Sequence, residues 1–396
     1  MSALARSWSR RRLLGLGLLL AALLGGLAWL LRREPAWPVR LVVQTGGPSW
    51  DEAGRRNYLS TPEAFAPDAA LLVVAEPGRL TVWDCSSGQR RAAWSMPQER
   101  TVYQAGFSLD GRTLAALSWD GKSDHLMIEL LDATTGQVRH SLPAPGGGIV
   151  HGGLVFMDGG RVLRVLAFDK HDPLGVLDCE VETGQVRARR TLSRSPRQDS
   201  THVSGDGKLL AFALPPPGKA GAVAATDVML WDIDRDQEID RLSGSTPVAT
   251  LALSDDASTL AIGREGGAVE VWDLDRRQLR AVFHPHSASF DPRLIWLSPD
   301  GRILASIGRL APRQLTVDYL RWRFAVFRGQ AAAGPPHELV VIETTGGRPL
   351  LRTSEEGRPV FSPDGRLLAT LQRDGSVSLR DLPAASVPGR GYSRSP

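Results

Sequence analysis

The chain has 396 residues, 42% hydrophobic and 23% charged, ordinary figures for a globular protein long enough to bury several sheets. Its formal net charge of +4 is uneven, because residues 1–34 hold six Arg and one Glu and leave the remainder at −1. A nearly neutral body lacks the basic field of a nucleic-acid-binding domain, so no nucleic-acid partner is expected.

In chain order, the first element is Leu13 to Leu31, LLGLGLLLAALLGGLAWLL, 19 residues without a charge. As a helix it spans about 28 Å, near the thickness of a bilayer core, and reads as a transmembrane anchor. Arg6, Arg10, Arg11 and Arg12 precede it, while Arg32 and Arg33 follow. That bias places the amino terminus in the cytoplasm and the body outside. A cleaved signal peptide, cut after the small residues Gly26 and Ala28, is the rival reading, but the apolar run continues through Trp29, Leu30 and Leu31. Only four lysines are present, Lys122, Lys170, Lys208 and Lys219, an arginine preference associated with GC-rich bacterial genomes.

Val39 to Gln44, VRLVVQ, has strand character. The body that follows repeats one unit, cleanest in FSPDGRLLATLQRDGSVSLRDL (Phe361 to Leu382). Two apolar strand-length runs each follow an Asp-Gly pair, whose glycine supplies the positive φ of a tight hairpin. Equivalent turns begin at Phe65, Phe107, Phe156, Val203, Leu253, Leu297 and Phe361, with spacings from 42 to 64 residues. A second mark keeps the same register: an acid at Asp84, Asp132, Glu180, Asp232, Asp273, Glu343 and Asp381. Gly stands four positions later in four copies, and Gln five positions later in five.

These spacings suit a four-stranded propeller blade. With Trp-Asp endings at Trp83-Asp84, Trp231-Asp232 and Trp272-Asp273, the residues from about Pro38 to Pro383 resemble the WD-repeat (tryptophan-aspartate) β-propeller family. The resemblance implies an all-β fold, a seven-bladed β-propeller of four-stranded antiparallel blades, here preceded by one N-terminal transmembrane helix. It also implies a protein-binding role without a cofactor. The chain departs from the family in lacking its Gly-His pair. Gly244-Ser245 stands near that place in one blade and His284 or His286 in another, so the family's hydrogen-bonded tetrad is expected to be incomplete and some blades looser. The last copy supplies only three strands, and since exposed sheet edges template aggregation, Val39 to Gln44 is expected to complete that blade as its outermost strand. The expected layout is a cytoplasmic tip and anchor over 1–34, the propeller over 35–387 and a disordered tail over 388–396.

Cys85 and Cys179 fall in the first and third blades, too far apart for a disulfide. Cys179 reads as a small buried hydrophobe. Asp232, Asp234, Asp236 and Glu238 alternate like a calcium loop. However, Gln237 replaces the glycine the loop needs at its sixth position and Ser243 the glutamate at its twelfth, so a charged turn is preferred. His284 and His286 flank Pro285 and read as a connection between blades. Gly121-Lys122-Ser123 lacks the first glycine and the strand-loop-helix context of a phosphate loop. No metal or cofactor is expected. The stretches 143–153 and 214–225 are Gly- and Pro-rich and read as surface loops.

The sharpest irregularity is Arg309 to His337, which interrupts the sixth repeat with VDYLRWRFAVFRG. Tyr319, Trp322, Phe324 and Phe327 lie among Arg321, Arg323 and Arg328, a composition shared by interface hot spots and bilayer headgroup contacts. An extended hairpin packed on a neighbouring blade is the plainer account. These seven residues are the candidate partner-binding site. Two functions remain open. The first is a membrane-tethered, extracytoplasmic protein-interaction scaffold that is not an enzyme. The second is an extracytoplasmic propeller enzyme or small-ligand-binding protein using the central channel. Three or more ionisable side chains around a pocket of a few hundred Å³ would favour the second.

Overall fold

The computed structural model describes residues 39–45, 61–76, 78–96, 100–120, 125–168, 174–194, 201–214, 225–286, 290–310, 337–353, 358–372 and 374–382. Among them, twenty-eight strands, β1 to β28 in chain order, form seven antiparallel blades. Blade I is β2–β5 (61–95), blade II β6–β9 (100–143), blade III β10–β13 (148–191) and blade IV β14–β17 (201–242). Blade V is β18–β21 (248–283) and blade VI β22–β25 (290–353). Blade VII takes β26–β28 (360–381) and, as its outer strand, β1 (Val39–Val43). A single parallel bridge, His151 to His202, joins the inner strands of blades III and IV.

The second strand of each blade is largely apolar because both faces are covered, and charges within it such as Arg164 in blade III and Arg264 in blade V are paired with Asp178 and Glu270. Leu367–Leu371 is buried at every position, and so is Val162–Phe168. Seven hydrophobic clusters fill the seven interfaces between consecutive blades. One joins blade VII to blade I. Val43, Ala369, Val377 and Leu379 meet Leu72, Val74 and Trp83 across it. The ring therefore closes on itself.

The expected clasp is present. Val43 pairs with Val377 and Val39 with Arg380, an ion pair of 3.0 Å ties Arg40 to Asp381, and Thr45 bonds Gly375. Leu41 lies where a Cβ on Gly88 of blade I would approach its methyl to 2.7 Å. Blade I makes the same contact with blade II, where Trp94 lies against Gly136 so closely that a Cβ there would overlap the ring. Both glycines also hold φ near +70°. The recurring turn glycine thus serves backbone geometry and the handshake between blades at once. In blades IV and V, Asp236 and Arg277 occupy this position at φ 52° and 53°.

In blades I to VI the acid that marks the repeat stands at the last turn of its blade, and in blade VII Asp381 pairs instead with Arg40 of the clasp. Asp84 accepts N–H bonds from Ser86 and Ser87 and pairs with Arg91 on the outer strand, and Asp132 does the same with Thr134, Thr135 and Arg139. Backbone and guanidinium donors hold the Asp132 carboxyl down at about 2, and Arg280 with the Arg276 N–H does so for Asp273, also at about 2. Arginine on these outer strands also discourages edge pairing.

The tetrad expected to be incomplete is replaced blade by blade. In blade I, Trp83 donates to Thr81, which donates to the buried Glu76. Blade V uses Arg264, Glu270 and Trp272, and blade VII uses Thr370, Ser378 and Gln372. Cys85 and Cys179 are buried and unbridged, in blades I and III. Leu13 to Leu31 lies outside the described residues, among which no helix is long and apolar enough to cross a membrane.

Candidate functional site

Among the described residues, polar side chains gather at the channel mouth, at the turns between first and second strands, and at the base of the blade VI insertion on the opposite face. The opposition follows from topology, since each second strand runs from one face to the other.

At the mouth, five repeats build the same turn. Ser204 donates to Asp206 at 2.6 Å, Ser254 to Asp256 at 2.6 Å, Ser298 to Asp300 at 2.7 Å and Ser362 to Asp364 at 2.6 Å, with Ser108 and Asp110 alike. Each aspartate also accepts a backbone N–H two residues on, as from Lys208 to Asp206. The repeated motif is therefore a turn device first. Its by-product is a ring of carboxylates. A cavity of about 680 Å³ is lined by Asp158, Asp206, Asp255, Asp256, Asp300 and Asp364 against Lys208.

Two of these acids are not turn builders. Asp158 and Asp255 stand one position earlier, where other copies have Pro299 or Pro363, and their carboxyls line the cavity instead of bonding the turn. The backbone of Asp255 links neighbouring turns, accepting from Gly205 at 3.1 Å and donating to Pro299 at 3.0 Å. Asp255 keeps solvent contact through the mouth, yet the protein crowding the mouth removes enough bulk water to raise its carboxyl above the usual range, and Asp256 adds to the effect. For Asp256, burial pushes the same way, but the Ser254 hydroxyl and the Ser258 N–H outweigh it and leave the carboxyl lowered. The mouth thus concentrates negative charge suited to a cationic group. Its size and its ionisable lining meet the condition that would favour a channel-mouth ligand.

At the opposite face, β23 (Ile303–Leu310) and β24 (His337–Glu343) pair up to Arg309 and His337, so strand continues into the stretch read as an interruption and residues 311–336 remain between them. Tyr319, Arg321, Trp322, Arg323, Phe324, Phe327 and Arg328 lie outside the described residues. Within the described part of this blade, His286 contacts Ser306 at 2.8 Å through Nε2 and Glu338 at 3.0 Å through Nδ1. Arg352 donates to Glu338 at 2.6 Å and to the Pro285 carbonyl. Burial raises the Glu338 carboxyl, while His286 and Arg352 more than reverse this and leave it lowered.

By connectivity alone Ser306, His286 and Glu338 match a hydrolytic triad. Ser306 is 0% exposed, so no substrate reaches it, and the set is a structural lock on the insertion's base. His286 fills the connection between blades, as its flanking Pro285 indicated, and it packs on Gly308, where a Cβ would come within 2.7 Å of the ring. Ser306 and Glu338 carried no local signal. They lie 20 and 52 residues from His286, and only the ring brings them together.

The run from Asp232 to Glu238 is a charged turn. Asp232 accepts the Arg235 N–H, Asp236 accepts from Trp231 and Ser193, and Asp234 pairs with Arg190. Among the described residues no group of three or more potential ligands is arranged to hold a metal ion.

No protein-family model matches the chain, and no curated protein does. Solved structures do. A chain of the structure described as "Crystal Structure of Mitotic Checkpoint Complex" superposes with a TM-score of 0.56 over 89% of this chain and 93% of that chain, at 14% identity. At that identity the likeness concerns the fold, which is that of a WD-like seven-bladed propeller.

Proposed function

We propose that this protein is a membrane-tethered, extracytoplasmic scaffold of bacterial origin whose propeller docks a protein partner. β-Propellers commonly serve protein–protein interaction, and function lives in sites grafted on the fold. The observation that carries the reading is the blade VI insertion: 26 residues, 311–336, emerge from a strand pair whose base is locked by His286, Ser306, Glu338 and Arg352. An insertion of that length with four aromatics and four arginines is unusual unless functional. Tyr319, Arg321, Trp322, Arg323, Phe324, Phe327 and Arg328 are the proposed contacts, and Leu13 to Leu31 is the proposed anchor with the amino terminus in the cytoplasm.

Cross-linking in intact membranes followed by mass spectrometry identifies the partner. Changing Trp322 and Phe324 to Ala should then abolish its co-purification while the ring stays folded. Survival of every partner in that variant refutes the assigned contacts.

A second reading is favoured by the acidic mouth: a small cationic ligand held over the channel by Asp158, Asp255 and their neighbours. Calorimetric titration with spermidine tests it. Salt-sensitive binding weakened by Asp158→Asn with Asp255→Asn supports this reading, and no heat at low ionic strength removes it.

A further inference from the structure

The clasp strand fixes the edge of the ring at which the chain enters blade VII. β28 (Val377–Asp381) begins after the turn at Asp374 and Gly375 and ends beside the mouth-side turn of its own blade, where the Leu382 N–H bonds the Arg366 carbonyl at 2.6 Å. β1 runs antiparallel to it, with Val39 opposite Arg380 and Val43 opposite Val377. The chain therefore enters the propeller at the mouth-side edge of blade VII and leaves β1 toward the opposite face, where Thr45 bonds the Gly375 carbonyl.

Only seven residues, 32–38, separate the proposed anchor from Val39. Fully extended they reach about 25 Å. The blade between the two faces is roughly 17–26 Å deep, for strands of five to eight residues at about 3.3 Å each. Turning the insertion's face onto the bilayer would require that link to climb the whole depth of the rim, which consumes its entire length.

Resting on the anchor reading above, we infer that the acidic mouth faces the bilayer and that the face from which β23 departs and to which β24 returns is membrane-distal. The distal face meets a protein of the same compartment, and the headgroups of its own membrane are out of its reach. The aromatic-and-arginine composition alone left those two classes of partner equal, and the entry point of β1 separates them.

The test uses the full chain in phosphatidylcholine vesicles bearing an acceptor-labelled lipid, with a donor on one introduced cysteine. Asp275→Cys lies in a mouth-side turn of blade V and Glu265→Cys in an opposite-face turn of the same blade, both at exposed positions. The native thiols do not compete, since burial pushes Cys85 to about 12 and Cys179 to about 11. The Asp275→Cys donor should transfer severalfold more strongly than the Glu265→Cys donor, across a blade depth of roughly 20 Å. Equal or reversed transfer in protein that floats with the vesicles overturns the orientation while leaving the anchor intact. Protein that fails to float overturns both.

Discussion

Replacing Val43 by Ala tests ring closure directly. Val43 is 0% exposed, packed between Val377 and Leu379 of its own blade and Val74 and Trp83 of blade I. Removing two buried methyl-sized groups costs about 1.6 kcal/mol in transfer, and the cavity left at a packed interface brings the total to about 2–3 kcal/mol. Val42, the next residue, points outward at 43% exposure, and its change to Ala should fall within about 0.5 kcal/mol. Urea unfolding of the two variants beside the parent, followed by tryptophan fluorescence, reads the difference in midpoint. Because side chains alternate along a strand, a pairing shifted by one residue would exchange the two outcomes. Equal effects, or a costlier Val42→Ala, would refute the observed register of the clasp. Leu41→Ala combined with Gly88→Ala adds a check: the first removes the methyl that the new Cβ would strike at 2.7 Å, so the double variant should lose less than the sum of the two.

Arg277→Gly should stabilise by about 1 kcal/mol, since Arg277 holds φ 53° without a glycine's freedom. Asp236→Gly relieves the same backbone at φ 52° but forfeits the bonds to Trp231 and Ser193, so calorimetric melting should show no gain. His286→Ala leaves the buried Ser306 and the half-buried Glu338 without this partner and should cost about 2 kcal/mol in denaturant unfolding. The pH response separates two kinds of aspartate. Asp255 has a raised folded value, so its ionisation costs stability as pH climbs above the ordinary 3.8, and Asp255→Asn should be more stable than the parent at pH 7 and indistinguishable from it in acid. Asp132 and Asp273 are lowered, so their contribution is present above 3.8 and lost as pH falls toward about 2. Asp273→Asn should flatten the acid limb of the unfolding curve there.

Seven repeats, their turns, the acid that recurs in each and the first strand's return to the last blade are legible in the chain itself. Each depends on neighbours in sequence, such as a serine two residues before an aspartate or a glycine four after an acid, or on an edge that must be covered. Asp158 and Asp255 carried no signal of a site in the sequence, and His286 read only as part of a connection between blades. Their surroundings come from radial arrangement: one turn from each of several blades converges on the mouth, and residues 20 and 52 positions from His286 arrive by separate strands. Local turn chemistry acts over four or five residues and can be read from the order of amino acids, whereas charge density at a mouth and the surroundings of His286 arise only once the sheets close into a ring.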